Sequence, residues 1–129
     1  MDLETRTVDG VSVLALSGSF NNYTAQPVRQ WIDAATTTPP AWLVINLSQV
    51  SFLDSTALST LVHGMKRTRE QNGDLRLCGL TQPVRMIFEM TRLDQVFEIF
   101  AHEADAVQAY QLRSQAEASA QDEVANDAG

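Results

Sequence analysis

The stretch from Trp42 to Gly73 constrains the fold more than any other part of the chain. It opens on a run without strict alternation, Trp42-Leu43-Val44-Ile45-Asn46-Leu47, which predicts a strand buried on both faces inside a parallel sheet. Beyond Asp54, apolar residues recur with helical spacing, at Leu58, Leu61, Val62 and Met65. The stretch therefore predicts a central strand, a short turn ending in Leu53-Asp54-Ser55-Thr56, and a helix that stops at Gly73.

Asp54 stands at the N-cap position of this helix, where its carboxylate can accept from free N–H groups of the first turn. The hydroxyls of Ser55 and Thr56 then lie in that turn. Because a helix N-terminus offers free donors and the positive end of the helix dipole, it would tolerate a phosphoryl group on Ser55. Capping triplets of this kind are common, so the local pattern alone favours a simple cap over a phosphorylation switch.

The rest of the chain repeats strands and helices. Two β-prone segments, Leu3 to Val8 and Val11 to Leu16, flank Asp9-Gly10, which suits a type I′ hairpin turn, and Gly18 is expected to end the second strand. Spacing and caps predict the other elements in this order: a helix capped by Thr24, a strand from Leu75 to Leu80, a helix capped by Thr81, a strand from Val96 to Phe100, and a helix from Glu103 to Leu112. This order predicts an α/β fold with a mixed, mostly parallel sheet of about five strands, about four helices and an amino-terminal hairpin.

Composition excludes several classes of protein. A length of 129 residues fits one domain with a hydrophobic core, and a net charge of −7 argues against a nucleic-acid surface. No apolar run approaches the roughly 20 residues that span a bilayer, and the first residues lack the features of a signal peptide, so we expect a cytoplasmic protein without membrane insertion. We place the domain at residues 1–112 and expect the acidic residues 113–129 to be disordered or to fray from the last helix.

Two blocks of the chain resemble the STAS domain of bacterial anti-sigma factor antagonists. The first is Val44 to Leu58, which contains Asp54-Ser55-Thr56 and is preceded by Gly18 and Thr24-Ala25. The second is the strand Leu75 to Leu80 followed by the segment Val84 to Leu93. The resemblance covers the chain from Leu3 to Leu112 and implies the STAS fold.

The resemblance also implies a phosphorylation switch. In that family, the serine after the aspartate is phosphorylated by a serine kinase that is itself the anti-sigma factor, and a PP2C-type phosphatase removes the phosphate. The unphosphorylated protein binds the anti-sigma factor and frees sigma. By position, Ser55 is the phosphoacceptor, Thr56 is the second choice, and Asp54 is the helix cap. The resemblance therefore favours the switch over the simple cap.

Three features depart from the family. Many members carry an acidic residue, a hydrophobic residue and an aspartate after the first glycine, where this chain has Ser19, Phe20 and Asn21. The glycine usually found two residues after the phosphoserine is Ala57, and the acidic tail is extra. The missing carboxylate at Asn21 leaves an alternative open: a STAS module without phosphorylation, acting as a scaffold or as a subunit of a membrane lipid-transport complex.

Two other classes lack the residues that they need. A receiver domain also places an aspartate after a central strand, but it requires an acidic pair for a divalent cation, and Val11 to Asn22 contains no carboxylate. A serine hydrolase requires a base near Ser55, whereas His63 lies two turns along the same helix and no Gly-x-Ser-x-Gly elbow is present. Cys78 fits a buried strand better than a reactive thiol. We expect no catalytic activity, cofactor or metal site.

We expect a partner to dock where two segments follow strand ends on the same side of the sheet. These segments are the turn after the second strand and the start of the Ser55 helix. The expected contact residues are Ser19, Phe20, Asn21, Asn22, Thr24, Ser55, Thr56 and Ser59, with Phe20 as the apolar anchor. The chain itself is expected to be a monomer or a weak dimer.

Overall fold

A computed structural model describes residues 2–111, and it shows one sheet with helices on both faces. The strands are β1 (Asp2–Val8), β2 (Val11–Phe20), β3 (Trp42–Leu53), β4 (Asp74–Cys78) and β5 (Ile99–Phe100). The helices are α1 (Ala25–Ala35), α2 (Ser55–Glu70), α3 (Gln82–Met90) and α4, whose described part is residues 103–111; a single 3-10 turn spans Leu93–Gln95. Leu112 and the predicted tail at 113–129 lie outside the described residues.

The sheet has the order β1-β2-β3-β4-β5, so each strand pairs with its neighbours in sequence. The first pair is antiparallel and the other three are parallel. The hairpin turn has positive φ at both central residues, 51° at Asp9 and 83° at Gly10, as a type I′ turn requires. The predicted α/β fold with a mixed, mostly parallel sheet and an amino-terminal hairpin is confirmed.

The hydrophobic core has two layers, one on each face of the sheet. Helices α1, α2 and α3 pack on one face, where Leu43, Ile45 and Leu47 of β3 are fully buried. Helix α4 packs on the other face, where Ala106, Val107 and Tyr110 meet Val11, Val13, Val44 and Cys78. The prediction that β3 is buried on both faces is confirmed, since alternate residues of the strand belong to opposite layers.

Strand β3 is longer than predicted and replaces the expected turn before Asp54. Beyond Leu47 its buried positions are three residues apart, at Val50 and Leu53. The pairing with β2 shifts register twice, because Ala15 and Ser17 pair with Asn46 and Gln49, and Gly18 and Ser19 pair with Val50 and Phe52. Each shift is a β-bulge with one extra residue in β3. The strand thus reaches Leu53 without leaving the sheet.

Helix α2 ends three residues before the predicted stop. Its last helical residue is Glu70, and Asn72 takes the left-handed conformation with φ 63°. The N–H groups of Asn72 and Gly73 donate to the carbonyls of Arg69 and Thr68, at 3.3 and 2.8 Å, which is a Schellman motif. Gly73 is needed for a different reason: a Cβ there would collide with the carbonyl oxygen of Ala41.

Two predicted strands have bounds that differ from those expected. Gly18 does not end β2, because the strand continues through Phe20 and keeps its pairing with β3. The predicted strand from Val96 to Phe100 is reduced to Ile99–Phe100, because Phe97 turns into the core. Its ring packs edge-on against the ring of Phe88, with the two ring centroids 5.8 Å apart.

Candidate functional site

Asp54 joins the start of α2 to the loop between β2 and α1. One carboxylate oxygen, Oδ1, accepts from the backbone N–H of Ala57 at 2.9 Å, which confirms the predicted N-cap. The other oxygen, Oδ2, accepts from the N–H of Asn22 at 3.0 Å. The Asp54 N–H donates in turn to the carbonyl of Phe20 at 3.2 Å. The two segments predicted to lie together are therefore held together by one residue.

Three hydroxyl residues near the start of α2 face solvent beside this junction. Ser55 and Thr56 are the first two residues of the helix, and both are exposed, as is Ser59 one turn further on. Among the interactions of residues 2–111, the Ser55 hydroxyl makes no hydrogen bond. Ala57, which replaces the glycine of the resembling family, is fully buried on the inner face of α2. Its methyl group therefore points away from the exposed serine.

The loop before α1 is closed by its own polar side chains. The Asn21 Oδ1 accepts from the N–H of Tyr23 at 2.9 Å, and the Thr24 Oγ1 accepts from the N–H of Asn21 at 2.9 Å. The same hydroxyl donates to the carbonyl of Ser19 at 3.0 Å. Thr24 occupies the N-cap position but makes no side-chain cap bond to α1. Asn21 and Thr24 thus shape the turn in which the Asn22 N–H points at Asp54.

Phe20 is not an exposed anchor, which corrects the prediction for this residue. Its side chain is 0% exposed, because it faces the side of the sheet covered by α1, α2 and α3, beside Leu53, its partner in β3. Tyr23 in the same loop is 87% exposed, although it is not among the contact residues expected from the sequence. The sequence does indicate that Tyr23 is exposed, since this aromatic residue lies among Asn21, Asn22 and Thr24 and matches neither a helical nor a strand spacing of apolar residues. Phe52 of β3, two residues before the cap residue Asp54, is 51% exposed.

The site has no basic residue close to it in sequence. Residues 19–28 and 51–65 contain neither lysine nor arginine, and the first cations beyond them are Arg29 and Lys66. His63, the only histidine of α2, points its Nε2 at Asp33 of α1, 3.5 Å from the carboxylate oxygen. A negative charge added at Ser55 would therefore find no lysine or arginine within these two segments, and the N-terminus of α2 would stabilise it.

The environment of Cys78 does not favour a reactive thiolate. Cys78 is the last residue of β4 and is fully buried against α4. This burial, with a smaller effect from the Glu103 carboxylate, raises the pKa of the thiol to about 12. Within residues 2–111, no three or more His, Cys, Asp or Glu side chains are grouped as metal ligands. In the same part of the chain, no helix combines the length and the hydropathy that crossing a bilayer demands.

Comparison with known proteins places this architecture in a family. The STAS domain family matches residues 2–106. The anti-sigma-B factor antagonist of Listeria monocytogenes is 29% identical over 99 residues, which are 77% of this chain and 86% of the relative. The crystal structure of an anti-sigma factor antagonist from Mycobacterium paratuberculosis is 31% identical with a TM-score of 0.74, and the match covers 84% of this chain and 92% of that one.

A third comparison concerns the Bacillus cell fate determinant SpoIIAA in its phosphorylated form. That structure is 19% identical with a TM-score of 0.69, and the match covers 84% of this chain and 99% of that one, a likeness that shows the fold. The family match, the sequence identity to the relatives and the structural likeness all cover the part of the chain that contains the Asp54 junction. The chain belongs to the STAS domain family.

Proposed function

We propose that this protein is an anti-sigma factor antagonist whose binding is switched by phosphorylation of Ser55. The observation that carries the proposal is the setting of Ser55: an exposed hydroxyl at the start of α2, next to the residue that ties α2 to the β2–α1 loop. The names of the Listeria and Mycobacterium relatives support the antagonist role. The partners are an anti-sigma factor with serine kinase activity and a PP2C-type phosphatase.

The unphosphorylated surface is suited to a partner that packs against neutral groups. Its exposed residues are Ser19, Asn22, Tyr23, Ser55, Thr56 and Ser59, none of which is charged. Tyr23 takes the role of apolar anchor that the buried Phe20 cannot have, because a tyrosine offers a large contact area with only two side-chain torsions to order. Asn21 contributes by shaping the loop through its bond to Tyr23.

Phosphorylation changes the charge of this surface more than it changes the fold. A phosphoserine adds about −1.5 to −2 charges at pH 7, while the helix N-terminus stabilises an anion by about 0.3 to 1 kcal/mol. The Asp54 carboxylate beside it already accepts two N–H groups, and residues 51–65 supply no cation. A partner that packs on the bare hydroxyl would bury an unpaired dianion, which costs several kcal/mol, or more than about a hundredfold in affinity.

The same surface allows a second function, a STAS scaffold or transport-complex subunit that binds without phosphorylation. The observation in its favour is Asn21, which stands where many antagonists carry an aspartate and whose amide is engaged within the loop. Under this alternative, Ser55 would be a cap-adjacent hydroxyl without a kinase.

The test is incubation with ATP and a serine kinase of the anti-sigma factor class, followed by intact-mass measurement. We expect the mass to rise by one phosphate in the native protein and in Thr56→Ala, and not in Ser55→Ala. Ser59→Ala serves as the matched control, since Ser59 is exposed on the same helix one turn away. Unchanged mass in every protein would favour the scaffold, and loss of the modification only in Thr56→Ala would move the site to Thr56.

Binding measurements complete the test. Ser55→Ala should bind the kinase irrespective of ATP, and Ser55→Asp should bind weakly. Amide NMR shifts on phosphorylation should be confined to the start of α2 and the β2–α1 loop. Shifts that spread through β3 and β4 would contradict the local block and indicate a change of the whole sheet.

A further inference from the structure

Strand β1 leaves one long edge of the sheet open. It pairs with β2 through all seven residues, Asp2 to Val8, without a register shift, and the described part of the chain places no strand on its other side. The opposite edge, β5, has only two residues. Open edges are usually protected by bulges, proline, charged side chains or shortness, and β1 has only the charged side chains Asp2, Glu4 and Arg6.

The residues whose backbone faces outward follow from the hairpin. In a two-residue hairpin, the pair flanking the turn is hydrogen-bonded, and this pair is Val8 and Val11. Asp2, Glu4 and Arg6 have the same parity as Val8 and also bond to β2. The N–H and C=O groups of Leu3, Thr5 and Thr7 therefore point away from the sheet.

The outward edge is complementary to itself. In an antiparallel pair of two β1 strands centred on Thr5, the outward groups of Leu3, Thr5 and Thr7 meet those of Thr7, Thr5 and Leu3 of the second copy. Glu4 then lies opposite Arg6 of the second copy, twice by symmetry. Opposite charges at directly facing positions stabilise an antiparallel pair, and like charges destabilise it. Glu4 and Arg6 are both exposed, and Arg6 also reaches Glu103 at 2.6 Å.

Shifted registers are poorer. A pair centred on Leu3 would place Glu4 opposite Asp2 of the second copy, so that two carboxylates face each other on each side. A pair centred on Thr7 would place Arg6 opposite Val8 and would leave Glu4 and Leu3 beyond the hairpin turn of the second copy. Pairs centred on Glu4 or on Arg6 would place each of these charges opposite its own copy, and like charges at facing positions destabilise the pair. The opposite signs of Glu4 and Arg6, one on each side of Thr5, therefore select one register.

We propose that the protein forms a weak homodimer in which β1 pairs antiparallel with β1 of a second copy, centred on Thr5. The product is a continuous ten-stranded sheet with its two-fold axis through the Thr5 pair. The inference is independent of phosphorylation, because it uses the sheet edge and none of the site residues.

Cysteine cross-linking tests the register. In a hydrogen-bonded antiparallel pair, the two Thr5 Cα atoms lie about 5.5 Å apart, within the range of a disulfide. Thr7→Cys is the matched control, since Thr7 is also exposed on β1 but its two copies would lie about 14 Å apart along the strands. The native Cys78 is buried and does not compete. We expect a disulfide-linked dimer from Thr5→Cys under mild oxidation and little or none from Thr7→Cys.

Sedimentation at concentrations up to about 1 mM tests the dimer without a cross-link. Thr5→Pro should weaken association about thirtyfold or more, because two outward N–H donors are lost, while the pairing of β1 with β2 does not use that N–H. Glu4→Arg should also weaken it, since the substituted side chain would place a second positive charge opposite Arg6 of the second copy; circular dichroism checks that both variants fold. A native protein that stays monomeric at every concentration, or cross-linking equal at positions 5 and 7, would overturn the proposal.

Discussion

Removal of the Asp54 carboxylate should separate its two structural roles. Asp54→Ala loses the cap bond to Ala57, worth about 1 kcal/mol, and the charge-assisted bond to Asn22, also about 1 kcal/mol because Asn22 is exposed. We expect about 2 kcal/mol lower free energy of unfolding. Asp54→Asn keeps a cap oxygen for Ala57 but turns its NH2 group, which cannot accept a hydrogen bond, towards the Asn22 N–H. Its free energy of unfolding should therefore be about 1 kcal/mol lower.

Thermal unfolding and amide NMR of the two variants measure these effects. At about 4 °C per kcal/mol, the melting temperature should fall by about 8 °C in Asp54→Ala and about 4 °C in Asp54→Asn. The Asn22 amide should shift in both variants, and the Ala57 amide strongly in Asp54→Ala alone. Asp33→Ala is the control, because Asp33 is half exposed and its partners lie at 3.5 and 4.0 Å, so its loss should change stability by less than about 0.5 kcal/mol.

The result that would refute this reasoning is equality of the two Asp54 variants. If Asp54→Asn were as destabilised as Asp54→Ala, or if the Asn22 amide did not respond to either, the carboxylate would not couple α2 to the loop. The proposed surface would then consist of two independent segments.

Three further substitutions or conditions test the core and the site. Phe20→Ala should lower the free energy of unfolding in urea by about 3 to 5 kcal/mol, because it empties a fully buried position. Tyr23→Ala should change that free energy by less than about 0.5 kcal/mol and should weaken partner binding. A large loss of stability in Tyr23→Ala and a small one in Phe20→Ala would contradict the assignment of Tyr23 as the anchor. Gly73→Ala should cost about 3 kcal/mol or more, since its Cβ would collide with the Ala41 carbonyl, and a wild-type urea midpoint would disprove that contact. Because burial raises the Cys78 pKa from 9.0 to about 12, the unfolded chain loses this proton first, so stability should fall as pH rises between these values; Cys78→Ala should remove that slope.

The sequence predicted the order of the elements and the parts of the site that depend on local chemistry. Asp54 could be identified as a cap because helix spacing begins directly after it, and the hairpin because Asp9-Gly10 suits positive φ. The meeting of the β2–α1 loop with α2 followed from the topology of a parallel sheet. The contact that joins them, from the Asn22 N–H to Asp54, depends on the loop conformation set by Asn21 and Thr24, which no periodicity reveals.

The structure differs from the sequence-based prediction where strands β2 and β3 end, because the direction of side chains there depends on how far each strand continues. Gly18 and the polar residues after it predict a turn, which would place Phe20 outside the sheet. In the structure β2 continues past Gly18, and alternation then turns Phe20 into the core. A similar error at β3 arose because buried residues spaced by three, Leu47, Val50 and Leu53, match neither a strand nor a helix pattern. Only the pairing with β2 shows that this spacing is extended strand.

The two bulges of β3 let the strand change length without moving Ser55 to the other face of the sheet. Each bulge holds one extra residue of β3, so deletion of that residue would restore regular pairing with β2 and leave Val50 and Leu53 on the side of α2. Deletion of a residue in the regular part of the strand, between Trp42 and Leu47, would instead invert the faces on one side of the deletion. Single-residue length changes should therefore be tolerated at the bulges, where the cap at Asp54 keeps its place beside Phe20, and not before them.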